Sequence, residues 1–216
     1  MINFKGVTFA EYHSFRDFSL VLSKKTIETP AVKTSSVEIE GMDGILDLTD
    51  YFGEPKYKNR KLKFEFSTLG VERKDFDSLF SNIQNAIHGQ FVKIIVDDDD
   101  AFYYMGRVNV NEWKSDKTIG KVVIECDCEP FKYKKYVTVI TEDIVGTREF
   151  VLTNLRKSVV PVFKSTGTLT IKFENQIYSI DSGEYTLDDV VLKQGKNLLT
   201  VEGNATLTIE YQERGL

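Results

Sequence analysis

The chain is short of the residues that most readily announce chemistry. It holds two histidines and two cysteines in 216 residues. His13 and His88 lie in no nucleophile motif: there is no G-x-S-x-G, no H-E-x-x-H and no Cys/His arrangement at a usable spacing. Cys126 and Cys128 are too few for a disulfide framework, and no further Cys or nearby His completes a zinc tetrad. No glycine-rich phosphate loop follows a strand; GMDG at 41–44 lacks the spacing and the lysine of a P-loop and suits a tight turn. No apolar run approaches the roughly 20 residues that span a bilayer. The opening MINFKGVTFAEYHSF lacks the apolar core and cleavage site of a signal peptide. The expectation is a chain made in the cytoplasm and kept there or released by lysis, with no membrane partner. A surplus of positive charge is also missing. A net charge of -5 weighs against a surface that grips phosphates, because such binding comes from Lys and Arg displacing counterions.

What is present is a folding sequence. Hydrophobic residues make up 41% and charged residues 28%, ordinary values for a chain with a packed interior. Its length suits two modest domains better than one, since domains run to about 100–150 residues. FSLVL at 18–22 and SSVEIEG at 35–41 read as strands, the second half-buried because Val37 and Ile39 alternate with Glu38 and Glu40. KLKFEFS at 61–67 alternates most clearly, with Leu62, Phe64 and Phe66 on one side. The period then changes: Phe76, Leu79, Phe80, Ile83 and Ile87 fall on one stripe, which predicts one substantial helix over 72–88 with Gly89 as its left-handed cap. FVKIIV, AFYYMGRVNVNEW and GKVVIECDC follow as a meander, separated by residues 97–100 and 115–120.

From about residue 159 short strands are punctuated by Gly, Asn or Asp, as in an antiparallel sandwich: VVPVF, TLTIKF, QIYSI, GEYTL, VVLK, NLLTV and ATLTIEYQ. The polar yet strand-like segment between the halves reads as a linker strand. The division is expected near residues 141–148, giving domains 1–140 and 141–216. The fold class is thus mainly β, a sandwich with one helix followed by a second antiparallel sandwich.

Three features invite a chemical reading. Asp97, Asp98, Asp99 and Asp100 stand in sequence, but neighbours on an extended chain point to opposite faces and the spaced ligands of an EF-hand are missing. A hairpin tip, with charge guarding a strand end, fits them better than a metal site. Cys126 and Cys128 share a face with Val122 and Ile124, so they read as small core residues that do not bridge each other. Tyr178, Tyr185 and Tyr211 could stack on sugar rings or serve as half-buried packing.

The stretch TPAVKTSSVEIEGMDGILDLTDYFGEPKYKNRKLKFEF at 29–66 resembles the distal tail protein (Dit) family of long-tailed, non-contractile bacteriophages. The likeness lies in a strand, a G-x-D-G-x-L-D-L-T turn, and a Y-x-N-R element leading into an alternating strand. HGQFVKIIVDDDDAFYYMGRV, CEPFKY and the ending GKNLLTVEGNATLTIEYQERGL continue it in order along nearly the whole chain. The resemblance implies a structural virion protein at the tail tip, with an N-terminal domain that builds a hexameric ring, single or in two stacked copies. It implies a galectin-like, jelly-roll C-terminal sandwich that projects outward. It implies as partners the tail tube protein, the tail-associated hub and receptor-binding proteins, with genome DNA passing a channel without specific binding. No cofactor, metal or catalytic residue is implied.

A closed ring needs a patch that meets a different patch on the neighbour. Residues 41–60 are expected to contribute, with Asp43, Asp47, Tyr57 and Arg60 as candidates. Arg60 would pair with Asp43 or Asp47 within the chain or across the contact, or else satisfy carbonyls inside its own loop. A second expectation is that the aspartates at 97–100 face the channel and repel DNA; the alternative is the solvated hairpin tip. Two other functions stay open: a carbohydrate-binding module using Tyr178 and Tyr185, and a carboxylate hydrolase, for which no acid pair stands out.

Overall fold

The computed structural model describes residues 4–51, 53–115, 119–155 and 157–216. The chain divides into two units, Met1–Lys132 and Tyr133–Leu216, N-terminal to the 140/141 boundary expected from composition. The first unit begins with β1 (Val7–Phe9), β2 (Tyr12–His13), a short helix α1 (Ser14–Phe18) and β3 (Leu20–Ile27). It continues through β4 (Ser36–Val37), β5 (Leu46–Asp47), β6 (Arg60–Thr68), α2 (Phe76–Ile87), β7 (Phe91–Val96) and β8 (Phe102–Ser115), and ends within β9 (Gly120–Lys134). The sheet order is β2-β1-β7-β8-β9-β6-β3, with β4 and β5 forming a separate two-stranded ribbon.

Alternation builds this core. Leu62, Phe64 and Phe66 on β6 lie opposite Cys126, Ile124 and Val122 on β9, and all six are buried. The sheet curls so that its far strands meet: Phe9 on β1 packs edge-on against Phe64 and Phe66, with ring centroids 5.9 and 6.5 Å apart. Fully burying a side chain of this size contributes about 1.5–3 kcal/mol. Phe76, Ile83 and Ile87 place one face of α2 in the interior, while Phe80 stacks on Trp113 of β8 at 5.2 Å. The helix ends at Ile87, and the left-handed cap expected at Gly89 is not formed: His88 is extended (ψ 132°), and Gly89, with φ 77°, turns the chain between Ile87 and Gln90, whose N donates to Ile87 O at 3.3 Å. At Gly106 the strands come so close that an added Cβ would sit 2.4 Å from Cys128 Sγ and 2.8 Å from Asp127 O. The cysteines are core residues, both buried and free.

The second unit holds β10 (Thr138–Asn154), β11 (Val162–Ser165), β12 (Leu169–Phe173), β13 (Gln176–Ile180), β14 (Gly183–Thr186), β15 (Gly195–Tyr211) and β16 (Arg214–Gly215). Its sheet order is β13-β12-β15-β11-β14, and β10 pairs with β15 from end to end. Phe163, Ile171, Leu199, Val201, Leu207 and Ile209 fill a second, separate core, completing the β-sandwich architecture.

Several expectations are corrected. Residues 141–148 are the middle of β10, because β15 supplies a partner for the whole length. NLLTV and ATLTIEYQ merge into that one strand, while VVLK is no strand: Val190 and Leu192 are buried from a loop held by a single bridge between Val159 and Leu192. The short helix α1 was not anticipated; His13 caps it by accepting from Phe15 N and Arg16 N on Nδ1 at 3.2 and 3.1 Å. Part of the turn expected at 115–120, residues 116–118, lies outside the described residues. The strand expected at 35–41 shrinks to Ser36–Val37, and Val37 and Ile39 are exposed rather than half-buried.

Candidate assembly surface

That last correction marks the most unusual part of the first unit. Residues 31–58 form a long hairpin arm. Its root is an antiparallel pairing in which Lys33 N donates to Lys56 O at 2.7 Å and Lys58 N to Ala31 O at 2.8 Å. Its tip is the β4–β5 ribbon, with Ser36 opposite Asp47 and Val37 opposite Leu46. Every residue from 31 to 47 is exposed. Val32, Val37, Ile39, Met42, Ile45, Leu46 and Tyr51 keep between 40% and 74% of their surface in water. A two-stranded hairpin with no covered face is marginal in water, and a contiguous exposed apolar patch marks a surface meant for a partner.

The arm is also electrically one-sided. Between Lys33 and Lys56 stand Glu38, Glu40, Asp43, Asp47, Asp50 and Glu54, with no Lys or Arg. The whole chain carries -5, so the chain without these six carboxylates carries +1. This cation-free run is countable in the sequence, and it is the signal that identifies the arm. Asp47 is held below its usual pKa by hydrogen bonds from the Thr49 side chain and backbone, Thr49 N donating at 2.8 Å.

The four residues expected at a subunit contact are split between the two ends of the arm. Asp43 and Asp47 lie at the exposed tip. Tyr57 and Arg60 lie at the root, Tyr57 packing edge-on against Phe131 at 5.9 Å. Arg60 is only 4% exposed and lays its guanidinium over the Tyr104 ring, 5.6 Å from the centroid. Among the described residues no ion pair joins Arg60 to Asp43 or Asp47, because β6 pairs Arg60 with Cys128 while the arm carries the aspartates away.

The aspartates at 97–100 behave differently. Asp97–Asp99 form a 3-10 turn after β7. Asp97 accepts from Gly6 N at 2.8 Å and from His13 Nε2 at 3.0 Å. Because His13 Nδ1 already accepts the helix-cap bonds, the ring proton sits on Nε2 and is donated to Asp97. Asp98 binds Lys25 and Lys5, and those two cations hold its carboxyl at about 2. Lys132 reaches Asp99. The run therefore joins the amino-terminal segment, the edge strand β3 and the end of β9. Sequence reasoning missed these basic partners because they come from far away in the chain. No group of three His, Cys, Asp or Glu side chains among the described residues is placed to hold a metal ion.

The remaining candidates are structural in this arrangement. His88 Nδ1 accepts from Val110 N at 3.0 Å. Burial, then neighbouring charge, pushes the Cys128 thiol up to about 12 and Cys126 well above its ordinary value, the reverse of an activated nucleophile. Tyr211 is buried and donates to Thr153 O at 2.9 Å. The Tyr185 hydroxyl accepts from Asp181 N at 3.2 Å, and Tyr178 donates to Gln176. Both rings pack against the second core and stay half-buried. One groove of the first unit holds two carboxylates, Glu65 and Glu112. Each is ion-paired, with Lys24 and Lys114, and Lys114 lowers the Glu112 pKa where a general acid needs it raised.

No protein-family model matches the sequence, and no curated protein matches it. Two structures of the phage p2 baseplate in its activated conformation, with Sr and with Ca, superpose at TM-scores of 0.46 and 0.43 and 8% identity, too distant to carry weight. The crystal structure of the SPP1 Dit protein, described as a paradigm of the hub adsorption apparatus in phages infecting Gram-positive bacteria, superposes at a TM-score of 0.73 with 13% identity. The match covers 99% of this chain and 100% of that one, so this chain has the fold of the SPP1 Dit protein along nearly all of its length.

Proposed function

We propose that the chain is a distal tail protein of a long-tailed, non-contractile bacteriophage. Copies of it close into a hexameric ring at the virion tail tip, single or stacked in two. The ring joins the tail tube protein to the hub and supports the receptor-binding proteins. A fold hosts many functions, so the observation that carries this reading is the arm, whose apolar and acidic residues from 31 to 47 are all exposed. A ring of identical chains needs a surface of this kind, able to meet a different surface on the next copy. The net charge of -5 suits a channel that genome DNA passes without binding.

The alternative is a module that grips cell-wall glycans through Tyr178 and Tyr185, both half-buried against the second core. Electron microscopy and mass measurement of the purified protein test the proposal. The expected result is an annular particle with sixfold symmetry and a mass six or twelve times the 24.7 kDa of one chain. A protein that stays at the mass of one chain at every concentration and binds glycans on an array would replace this reading with the alternative.

A further inference from the structure

The arm is charged oppositely at its two ends. At the root, Lys33 and Lys56 lie directly across from one another, and Lys58 lies across from Ala31 one rung away. Val32 and Tyr57, which pair between those rungs, point the other way. Lys33, Lys56 and Lys58 therefore share one face of the root, and none has a carboxylate within 4.0 Å among the described residues. At the tip Glu38, Glu40 and Asp43 are equally without cations. Tip and root of one arm cannot serve each other. At about 3.3 Å per residue they stand up to about 30 Å apart along the ribbon, several times the roughly 8 Å over which charges act at physiological salt.

Resting on the ring reading above, we infer that the acidic tip of one copy docks on the lysine face at the arm root of the next copy. Glu38, Glu40 and Asp43 meet Lys33, Lys56 and Lys58. A second copy is the occupant because it brings the required cations in the required number, on a surface distinct from the one it fills. Such a contact is heterologous, repeats from copy to copy and closes on rotation.

Charge reversal tests this. One variant carries Lys33→Glu, Lys56→Glu and Lys58→Glu; the other carries Glu38→Lys, Glu40→Lys and Asp43→Lys. Each is expected to lose self-association by at least about a hundredfold, since like charges are then juxtaposed at every contact. An equimolar mixture is expected to regain the wild-type mass, because each variant's tip then matches the other's root. The chain carrying all six changes is expected to assemble alone. All six positions are exposed, so unchanged melting temperatures confirm that the variants fold. Raising salt from about 0.1 M to about 1 M shortens the screening length from about 10 to about 3 Å and should weaken wild-type assembly in parallel. Wild-type rings joined by equally good rings of each separate variant, or a mixture of folded variants that stays dissociated, would overturn the tip-to-root contact and leave the ring standing. A wild-type chain that never assembles would remove the ring reading itself.

Discussion

Two acidic stretches of the first unit, residues 97–100 and the arm tip at 38–50, look alike in composition and differ in what faces them. Asp97, Asp98 and Asp99 each meet a basic or N–H partner from another part of the chain, among them Lys5, Lys25, Lys132 and His13. Among the described residues Glu38, Glu40 and Asp43 meet none. The first stretch spends its charge on the fold of its own chain, as a staple across the curled sheet; the second keeps its charge for another molecule. A channel-facing role for the turn after β7 would rest on Asp97 and Asp100, since lysines already compensate Asp98 and Asp99. What an acidic run does is set by the groups across from it.

This contrast can be broken at several points. The largest effect is expected from removing the arm: Lys33 and Lys56 are cross-strand partners, so an Asn-Gly turn can replace residues 34–55 without disturbing the root. Assembly should be lost entirely by light scattering, while the stability of the single chain changes by less than about 0.5 kcal/mol. Asp97→Ala should do the reverse. It strips the acceptor from Gly6 N and His13 Nε2 and should cost about 1–3 kcal/mol in a denaturant titration. Acid should find the staple next. The folded carboxyl of Asp98 lies at about 2 against an ordinary 3.8, so its contribution is complete above the ordinary value and lost as pH falls through about 2. The melting temperature should fall across that window, and Asp98→Asn should flatten the fall. The smallest effect on the single chain belongs to Glu38→Gln with Glu40→Gln, expected within about 0.5 kcal/mol of wild type while ring formation weakens measurably.

Much of this architecture was legible beforehand. The alternation of Leu62, Phe64 and Phe66, and the stripe from Phe76 to Ile87, are consequences of burying one face of a strand and of a helix. The same logic misled at Val37 and Ile39, because alternation shows that apolar residues share a face and not that anything covers it. For Arg60 the sequence leaves open an aspartate, in the chain or across a contact, or the carbonyls of its own loop; in the fold its guanidinium lies over Tyr104 on β8, on the far side of β9, a partner no local pattern announces. The lysines that meet Asp98 and Asp99 lie 93, 73 and 33 residues away, a separation that leaves no local pattern. The unbroken acidity between Lys33 and Lys56, by contrast, needed only counting.

Amide hydrogen exchange, followed on dilute single chains and on assembled particles, probes the difference between the two acidic stretches most directly. The arm at 34–51 should exchange freely in the dilute chain and become protected on assembly, while residues 97–99 show the same protection in both states. An arm that exchanges equally fast in both, or protection on assembly that appears elsewhere in the first unit and skips the arm, would contradict its role as the joint between copies.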